Sequence, residues 1–206
     1  MLLHGSRWEE VDEPDPKGVQ WKSIQAYLDT HKEVRYVWCD FLCMPQKPRN
    51  LAEDVLFNQM LPSVNLLYLG CSVLAIIDQQ YIGRFWTQLE CWLSYQKATA
   101  KGLEPRAESD PERLTIQGIH GSSRALEAHL LASWAGKTVG QAEERLAASD
   151  IIVTNQSDKV QQLKKLRDLN ETVEEDFQAE RRLRGRSHRL CSGHSIAVAQ
   201  SHQIAI

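Results

Sequence analysis

The sequence predicts a flavodoxin-like, doubly wound α/β fold, with a mostly parallel five-stranded sheet and helices on both faces. Two observations lead to this prediction. Segments with strand character alternate about five times with segments of helical apolar period along the 206 residues. The run "SVLAII" at residues 72–77 is apolar almost throughout, which is typical of a parallel strand buried on both faces. We expect the strand order 2-1-3-4-5, with this run as the central strand.

Strands are expected where β-branched and aromatic residues cluster, and helices where apolar residues recur every three or four positions. Pro62 predicts a kink in the second helix, because proline lacks a backbone N–H donor. The turn-rich segment 102–112 predicts a loop. The expected strands are 1–5, 34–43, 71–78, 113–121 and 150–155, and the expected helices are 19–31, 52–69, 84–98, 122–135, 138–148 and 157–177.

The pattern predicts one domain over residues 1–177, followed by a basic tail at 178–206. The tail holds five arginines between Arg181 and Arg189 and has no helical or strand period. A disordered extension is therefore expected, and nucleic acid is not an expected partner. Because the first predicted strand begins at Met1, the chain can be a fragment that lacks its true N-terminus.

Charge, hydropathy and cysteine content indicate an intracellular, cytoplasmic protein. The net charge is -3, so the total charge does not indicate nucleic acid or a membrane surface as a partner. The apolar stretches are too short to span a bilayer, and the first ten residues lack the pattern of a secretory signal. Five cysteines without a paired framework suit a reducing compartment.

Polar and aromatic side chains follow the ends of the predicted strands. Because the carboxyl ends of parallel strands lie at one edge of a sheet, we expect these side chains to converge on a ligand cleft between the first and third strands. The alternative for the aspartates is that they only cap the helices that follow. The expected cleft residues are Arg7, Trp8, Asp40, Asp78, Tyr81, Arg84, Phe85 and Trp86.

For Glu90, the helical spacing does not decide between a solvated position and a position in the cleft. It lies in the predicted helix 84–98, on the flank of the apolar arc that contains Leu89 and Trp92 and one turn after Trp86. It is either a solvated flank or a half-shielded carboxylate at the cleft. The flank position predicts that Glu90→Gln changes stability by no more than about 1 kcal/mol.

No metal site is expected. Cys39 and Cys43 are spaced four residues apart, but no neighbouring pair of cysteines or histidines completes a set of ligands. The two cysteines are better explained as buried free thiols.

Three stretches together resemble the heterokaryon-incompatibility (HET) domains. They are "GSRWEEVDEPDPKGVQ" at residues 5–20, "VWCDFLCMPQ" at 37–46 and "YIGRFWTQLECWLS" at 81–94. HET domains in turn resemble Toll/interleukin-receptor (TIR) domains, in which a glutamate follows a helix-starting tryptophan by four residues, as Glu90 follows Trp86 here. The resemblance covers about residues 1–155 and implies a doubly wound α/β fold.

The resemblance also implies an intracellular signalling or defence domain. Some TIR domains cleave NAD at the nicotinamide–ribose bond and need that glutamate, whereas others only assemble. The resemblance implies that Glu90 is the catalytic residue, that Trp8 or Phe85 stacks on the base, and that Arg7 or Arg84 binds the phosphates. NAD would be a substrate, and no cofactor is expected.

Three functions remain open from the sequence. The first is a HET/TIR-like domain that binds NAD or a related nucleotide and cleaves it. The second is a self-assembling interaction module without activity, which makes a homo-oligomer an expected partner. The third is a nucleoside-processing transferase or hydrolase on the same fold. A membrane is not an expected partner for any of them.

Overall fold

The centre of the protein is a parallel sheet of four strands. The computed structural model describes residues 1–10, 12–153 and 156–190. Within this part of the chain the strands are β1 (Leu2–Ser6), β2 (Val37–Trp38), β3 (Ser72–Ile77), β4 (Gln96–Thr99), β5 (Gly102–Pro105) and β6 (Leu114–Gly118). The parallel sheet has the order β2-β1-β3-β6. This order matches the first four positions of the predicted sheet, and β3 lies in its interior as predicted.

Helices cover both faces of this sheet. They are α1 (Val19–Thr30), α2 (Asp40–Cys43), α3 (Leu51–Met60), α4 (Val64–Gly70), α5 (Phe85–Ser94), α6 (Arg124–Trp134), α7 (Val139–Ala147) and α8 (Gln156–Leu190). None of the helices in the described residues is long and apolar enough to cross a bilayer.

The alternating side chains of β3 divide the core between the two faces. Val73, Ala75 and Ile77 belong to the larger apolar cluster, which includes residues of α4, α5, α6, α7 and α8. Leu74 and Ile76 belong to a smaller cluster formed with α1. Every residue of β3 after Ser72 is buried, so the prediction of a strand covered on both faces is confirmed.

The second predicted strand is mostly not a strand. Only Val37 and Trp38 pair with β1, and the chain turns into the short helix α2 at Asp40. The Asp40 side chain accepts a hydrogen bond from the N–H of Phe41 at 2.7 Å. A carboxylate in the first turn of a helix satisfies free backbone donors, which explains why the apolar run does not continue as a strand.

The predicted helix 52–69 is divided at the predicted kink. α3 ends at Met60, residues Leu61–Ser63 form one 3₁₀ turn that contains Pro62, and α4 follows. Asn50 begins α3 with a capping box, in which its side chain and that of Glu53 each accept a backbone N–H of the other residue.

The prediction that residues 84–98 form one helix and 102–112 a loop is right only for α5 and for residues 106–112, which lie outside any helix or strand. α5 ends at Ser94, and β4 and β5 form an antiparallel hairpin. Arg113 holds the chain at this point by donating to the carbonyls of Ser94 at 3.2 Å and Gln96 at 2.7 Å. Gly102 has φ 88°, a left-handed conformation that glycine adopts without strain.

The fifth predicted strand is not formed in its described part. Ile152 makes a single parallel bridge to Arg84, with hydrogen bonds to the backbone of Gly83 and Phe85. The neighbouring side chains Ile151 and Val153 are buried in the larger core. The segment therefore pairs with the loop before α5 and does not extend the sheet beside β6. Residues 154 and 155 lie outside the described residues.

The last helix is longer than predicted. α8 continues from the predicted end at Phe177 to Leu190, so residues 178–190 of the predicted tail are helical. Leu166 and Val173 are buried, whereas Gln178 and Arg181 are exposed. The remaining tail residues 191–206 lie outside the described residues.

Candidate functional site

The loop after β1 makes side-chain contacts to residues that follow the two neighbouring strands, one of them at the start of α2. The Arg7 guanidinium pairs with Asp78 after β3, with Nη2 2.6 Å from Oδ2. The Trp8 indole N–H donates to Asp40 Oδ2 after β2 at 2.9 Å. The structure thus brings four predicted cleft residues together at the carboxyl edge of the sheet, and it does so as two internal pairs.

A third side-chain contact links the same loop to the loop after β6. Glu9 Oε1 lies 2.7 Å from His120 Nε2, in the loop after β6. His120 has φ 51°, a left-handed conformation that is uncommon outside glycine. Three consecutive residues after β1 therefore contact residues that follow the other three strands of the sheet. Sequence reasoning missed this pair because Glu9 lies in the stretch 5–20 that carries the resemblance, whereas His120 lies in none of the three stretches.

The two aspartates at this edge differ in their electrostatics. Burial alone would raise the pKa of Asp78, but the hydrogen bonds and charge of Arg7, together with the N–H groups of Gln80 and Tyr81, hold that pKa below its usual range. Burial raises the pKa of Asp40, and hydrogen bonds from Phe41 and Trp8 offset this only in part. Asp78 is a stable anion, whereas Asp40 lies in a less polar setting.

Glu90 lies in the second turn of α5, with its carboxyl against the end of β1. A Cβ placed on Gly5 would be 3.6 Å from Glu90 Oε2 and 3.8 Å from the Tyr68 hydroxyl. The buried phenol of Tyr68, in α4, lies beside the same point, and its interaction with the Glu90 carboxyl acts to lower the pKa of Glu90. Gly5 thus leaves space beside β1 that these two polar groups share.

The environment of Glu90 favours its protonated form. Part of the residue reaches solvent, but its carboxyl is closely surrounded by protein. Burial, and then the negative charge of Asp40, raise the pKa of Glu90 to about 8, although the hydrogen bond from Tyr68 acts in the opposite direction. A carboxyl group with such a displaced pKa at the edge of a sheet has the properties of a functional group.

Two predicted cleft residues belong to the core. Phe85 and Tyr81 are each only 1% exposed, and the Tyr81 hydroxyl donates to the Thr87 carbonyl at 3.2 Å. The prediction that they contact a ligand needs correction, because neither ring has a free face at the surface. Trp86 is 36% exposed and stays available, with its ring edge-on to Phe85 at 5.7 Å between centroids.

Arg84 is placed apart from the other predicted residues. It is exposed and lines a surface depression of about 410 Å³ together with Gln79, Gln80, Ile82, Gly83 and Ile152. No other predicted site residue lines this depression. Arg84 therefore lies in a different surface depression from Arg7, the other arginine predicted to meet the phosphates.

The opposite face of β1 carries a buried histidine. His4 is 6% exposed, and neither ring nitrogen has a hydrogen-bond partner among the described residues. Burial lowers the pKa of His4 to about 4, while the charge of Asp15 acts weakly against this. His4 is therefore neutral at physiological pH, and it lies across the sheet from Glu90 because adjacent strand residues point to opposite faces.

The cysteines near this edge are free thiols, but the prediction that both are buried is wrong, because Cys39 is half-buried and Cys43 is exposed. Burial raises the pKa of Cys39 to about 11, with a further contribution from Asp40. Among the described residues no group of three or more histidine, cysteine, aspartate or glutamate side chains could hold a metal ion. The four cysteines in this part of the chain are all free.

Comparison with known proteins adds no assignment. Neither a family model, nor a curated protein, nor a solved structure matches the chain. The resemblance to HET and TIR domains therefore stays a prediction from the motifs.

Proposed function

We propose that the chain is an intracellular HET/TIR-like signalling or defence domain that binds NAD or a related nucleotide and cleaves the nicotinamide–ribose bond. The observation that carries the proposal is the Glu90 carboxyl at the carboxyl edge of the parallel sheet, where it lies with the Tyr68 hydroxyl beside Gly5 and has a pKa of about 8. Ligands of doubly wound folds bind at this edge, and displaced pKa values cluster at functional sites.

The proposed reaction needs one carboxylate. Nicotinamide leaves as a neutral molecule, positive charge develops on the ribose, and water then adds at the same carbon and releases a proton. An ionised Glu90 beside the ribose would stabilise the developing charge in a setting shielded from water. No second acid has to protonate the leaving group, in contrast to most glycoside hydrolases. The exposed Trp86, one turn before Glu90, offers an aromatic surface to a base.

The rate of nicotinamide release should depend on pH in a defined way. Because the reactive form of Glu90 is ionised and its pKa is about 8, we expect kcat/KM to rise about tenfold per pH unit below that pH and to level off above it. The measurement is nicotinamide release from NAD by the pure protein between pH 6 and 9.5. A rate that falls as pH rises through 8 would assign Glu90 to an acid role and favour the nucleoside-processing alternative.

A self-assembling module without activity is the second candidate. Two observations favour it. The charged and aromatic residues Arg7, Trp8, Asp40 and Asp78 are engaged with one another, and large apolar side chains are exposed on α2, α3 and α4. These are Leu42, Leu51, Val55, Leu56 and Leu66. If no nicotinamide is released at any pH, this candidate replaces the first, and sedimentation over a range of concentrations should show a homo-oligomer.

A further inference from the structure

We propose that Tyr68 is the positioning residue of Glu90, fixing the carboxylate against Gly5 through a hydrogen bond from its hydroxyl. The inference rests on the proposed function, because it assigns to Tyr68 a role in the reaction that Glu90 would perform. No sequence motif pointed to Tyr68, which lies in α4, between the segments that carry the family resemblance.

Tyr68 is held rigidly enough to position another side chain. It is 2% exposed and belongs to the larger core, so its ring cannot change rotamer without disturbing the packing. Its backbone is also anchored, because Arg113 donates to the carbonyls of Tyr68 and Cys71, each at 3.0 Å. The hydroxyl therefore has a fixed position relative to the sheet.

Toward an ionised Glu90, the hydroxyl of Tyr68 acts as a neutral donor. Burial, followed by the nearby charges of Glu90 and Asp40, raises the pKa of Tyr68 well above its usual range. The phenol keeps its proton wherever Glu90 is ionised. A hydrogen bond to an ionised acceptor is stronger than one to the protonated acid, so Tyr68 both orients Glu90 and favours its anionic form.

Gly5 completes the arrangement. The Glu90 carboxyl and the Tyr68 ring lie 3.6 and 3.7 Å from the point where a Cβ of residue 5 would sit. A larger side chain there would occupy the space that lets both groups approach the end of β1. The backbone of β1, the phenol of α4 and the carboxyl of α5 thus form one contact set at the carboxyl edge of the sheet.

The first test separates this hydrogen bond from a general effect of losing a buried phenol. The variants are Tyr68→Phe and, as matched control, Tyr81→Phe, whose buried hydroxyl binds the Thr87 carbonyl. The chemical shift of the Glu90 carboxyl carbon is followed by NMR as pH is varied, and the midpoint of this titration is measured. The Glu90→Gln variant assigns the signal. Removing a hydrogen bond to a charged group should raise the midpoint by about one pH unit or more in Tyr68→Phe and leave it unchanged in Tyr81→Phe. Equal midpoints in the two variants would overturn the proposal.

The second test uses the reaction. In Tyr68→Phe, kcat for nicotinamide release should fall between about tenfold and a hundredfold with little change in KM, because misplaced catalytic groups affect the reacting geometry more than binding. The midpoint of the pH–rate curve should move upward with the NMR midpoint. An unchanged kcat would overturn the positioning role. If the wild type releases no nicotinamide, the proposed function fails, and the carboxyl titration still decides whether Tyr68 holds Glu90.

A third measurement needs no variant of Tyr68, in case Tyr68→Phe does not fold. In the wild type, the chemical shift of the Tyr68 ring carbon that carries the hydroxyl should change with pH at the Glu90 midpoint. The change should be absent in Glu90→Gln. A Tyr68 signal that does not follow Glu90, or that changes equally in Glu90→Gln, would overturn the proposal.

Discussion

Replacing Leu74 with aspartate should leave no folded protein. Leu74 has no exposed surface and packs with Ile76, Leu2 and Ile24 between the sheet and α1. The variant loses the burial of a leucine, which costs about 3 to 5 kcal/mol by itself, and places an unpaired carboxylate in the core. The two effects together match the whole free energy of unfolding of a typical domain, about 5 to 15 kcal/mol.

The control is the same substitution at an exposed leucine. Leu51 is 82% exposed at the first position of α3, where a carboxylate also suits the helix dipole. Leu51→Asp should change the free energy of unfolding by no more than about 0.5 kcal/mol. Circular dichroism and urea denaturation of both variants make the comparison. A cooperative unfolding transition of Leu74→Asp like that of the wild type would show that β3 is not the buried centre of the sheet.

Glu90→Gln should make the protein more stable at high pH. The pKa of Glu90 is raised from 4.5 to about 8 on folding, so between these values the folded state holds a proton that the unfolded state has released. The contribution of Glu90 to wild-type stability therefore falls as pH rises from 4.5 to 8 and stays low above 8. The full difference corresponds to about 5 kcal/mol. Because part of the side chain reaches solvent, we expect a gain of at least about 2 kcal/mol for the glutamine at pH 9.

The measurement is urea denaturation of wild type and Glu90→Gln at pH 5 and pH 9. The two proteins should be nearly equal at pH 5, where folded Glu90 is neutral. His4 acts in the opposite sense. Its pKa falls from 6.5 to about 4 on folding, so burying the neutral ring stabilises the protein at higher pH, and this stabilisation is lost as pH drops from 6.5 to about 4. His4 is present in both proteins, so its effect cancels in the comparison. An equal difference at both pH values would contradict a raised pKa for Glu90.

This expectation replaces the one that the helical wheel suggests. Spacing places Glu90 on the flank of an apolar arc, where a substitution changes stability little. The wheel describes α5 alone, whereas the burial of Glu90 comes from Tyr68 in α4 and Gly5 in β1. Contacts between elements distant in sequence have no signature in the period of one helix, which is why the sequence identified Glu90 but missed Tyr68.

The parts of the fold that sequence predicts well are those with strong local signals. The apolar run of β3, the apolar period of α1 and the proline between α3 and α4 are each local signals, and the structure agrees with them. The hairpin of β4 and β5 depends on distant partners. Asn170 of α8 accepts the N–H of Leu103 at 2.8 Å, and Arg113 fixes the end of α5. Its sequence, "QKATAKGLEP", has no apolar alternation to reveal a strand.

The structure places four of the predicted cleft residues at one edge of the sheet, but it joins them in two pairs that the sequence did not indicate. Strand ends put Arg7, Trp8, Asp40 and Asp78 at one edge, as parallel topology requires. Sequence could not show that these groups would satisfy one another, because pairing depends on side-chain directions across three loops. The buried Phe85 is a second example of what sequence alone does not decide. An aromatic residue at the start of a helix is compatible both with a stacking surface for a ligand and with a position in the core.

The central claim is that Glu90 acts on a nucleotide, and nicotinamide release from NAD by wild type and Glu90→Gln at pH 8.5 tests it most directly. Above its pKa of about 8 most of the wild-type Glu90 is ionised, and loss of one preorganised charge typically costs a hundredfold or more in rate. We predict release by the wild type and a rate at least about a hundredfold lower for the folded variant. Equal release by both proteins would contradict the claim and leave Glu90 as a structural carboxyl of α5.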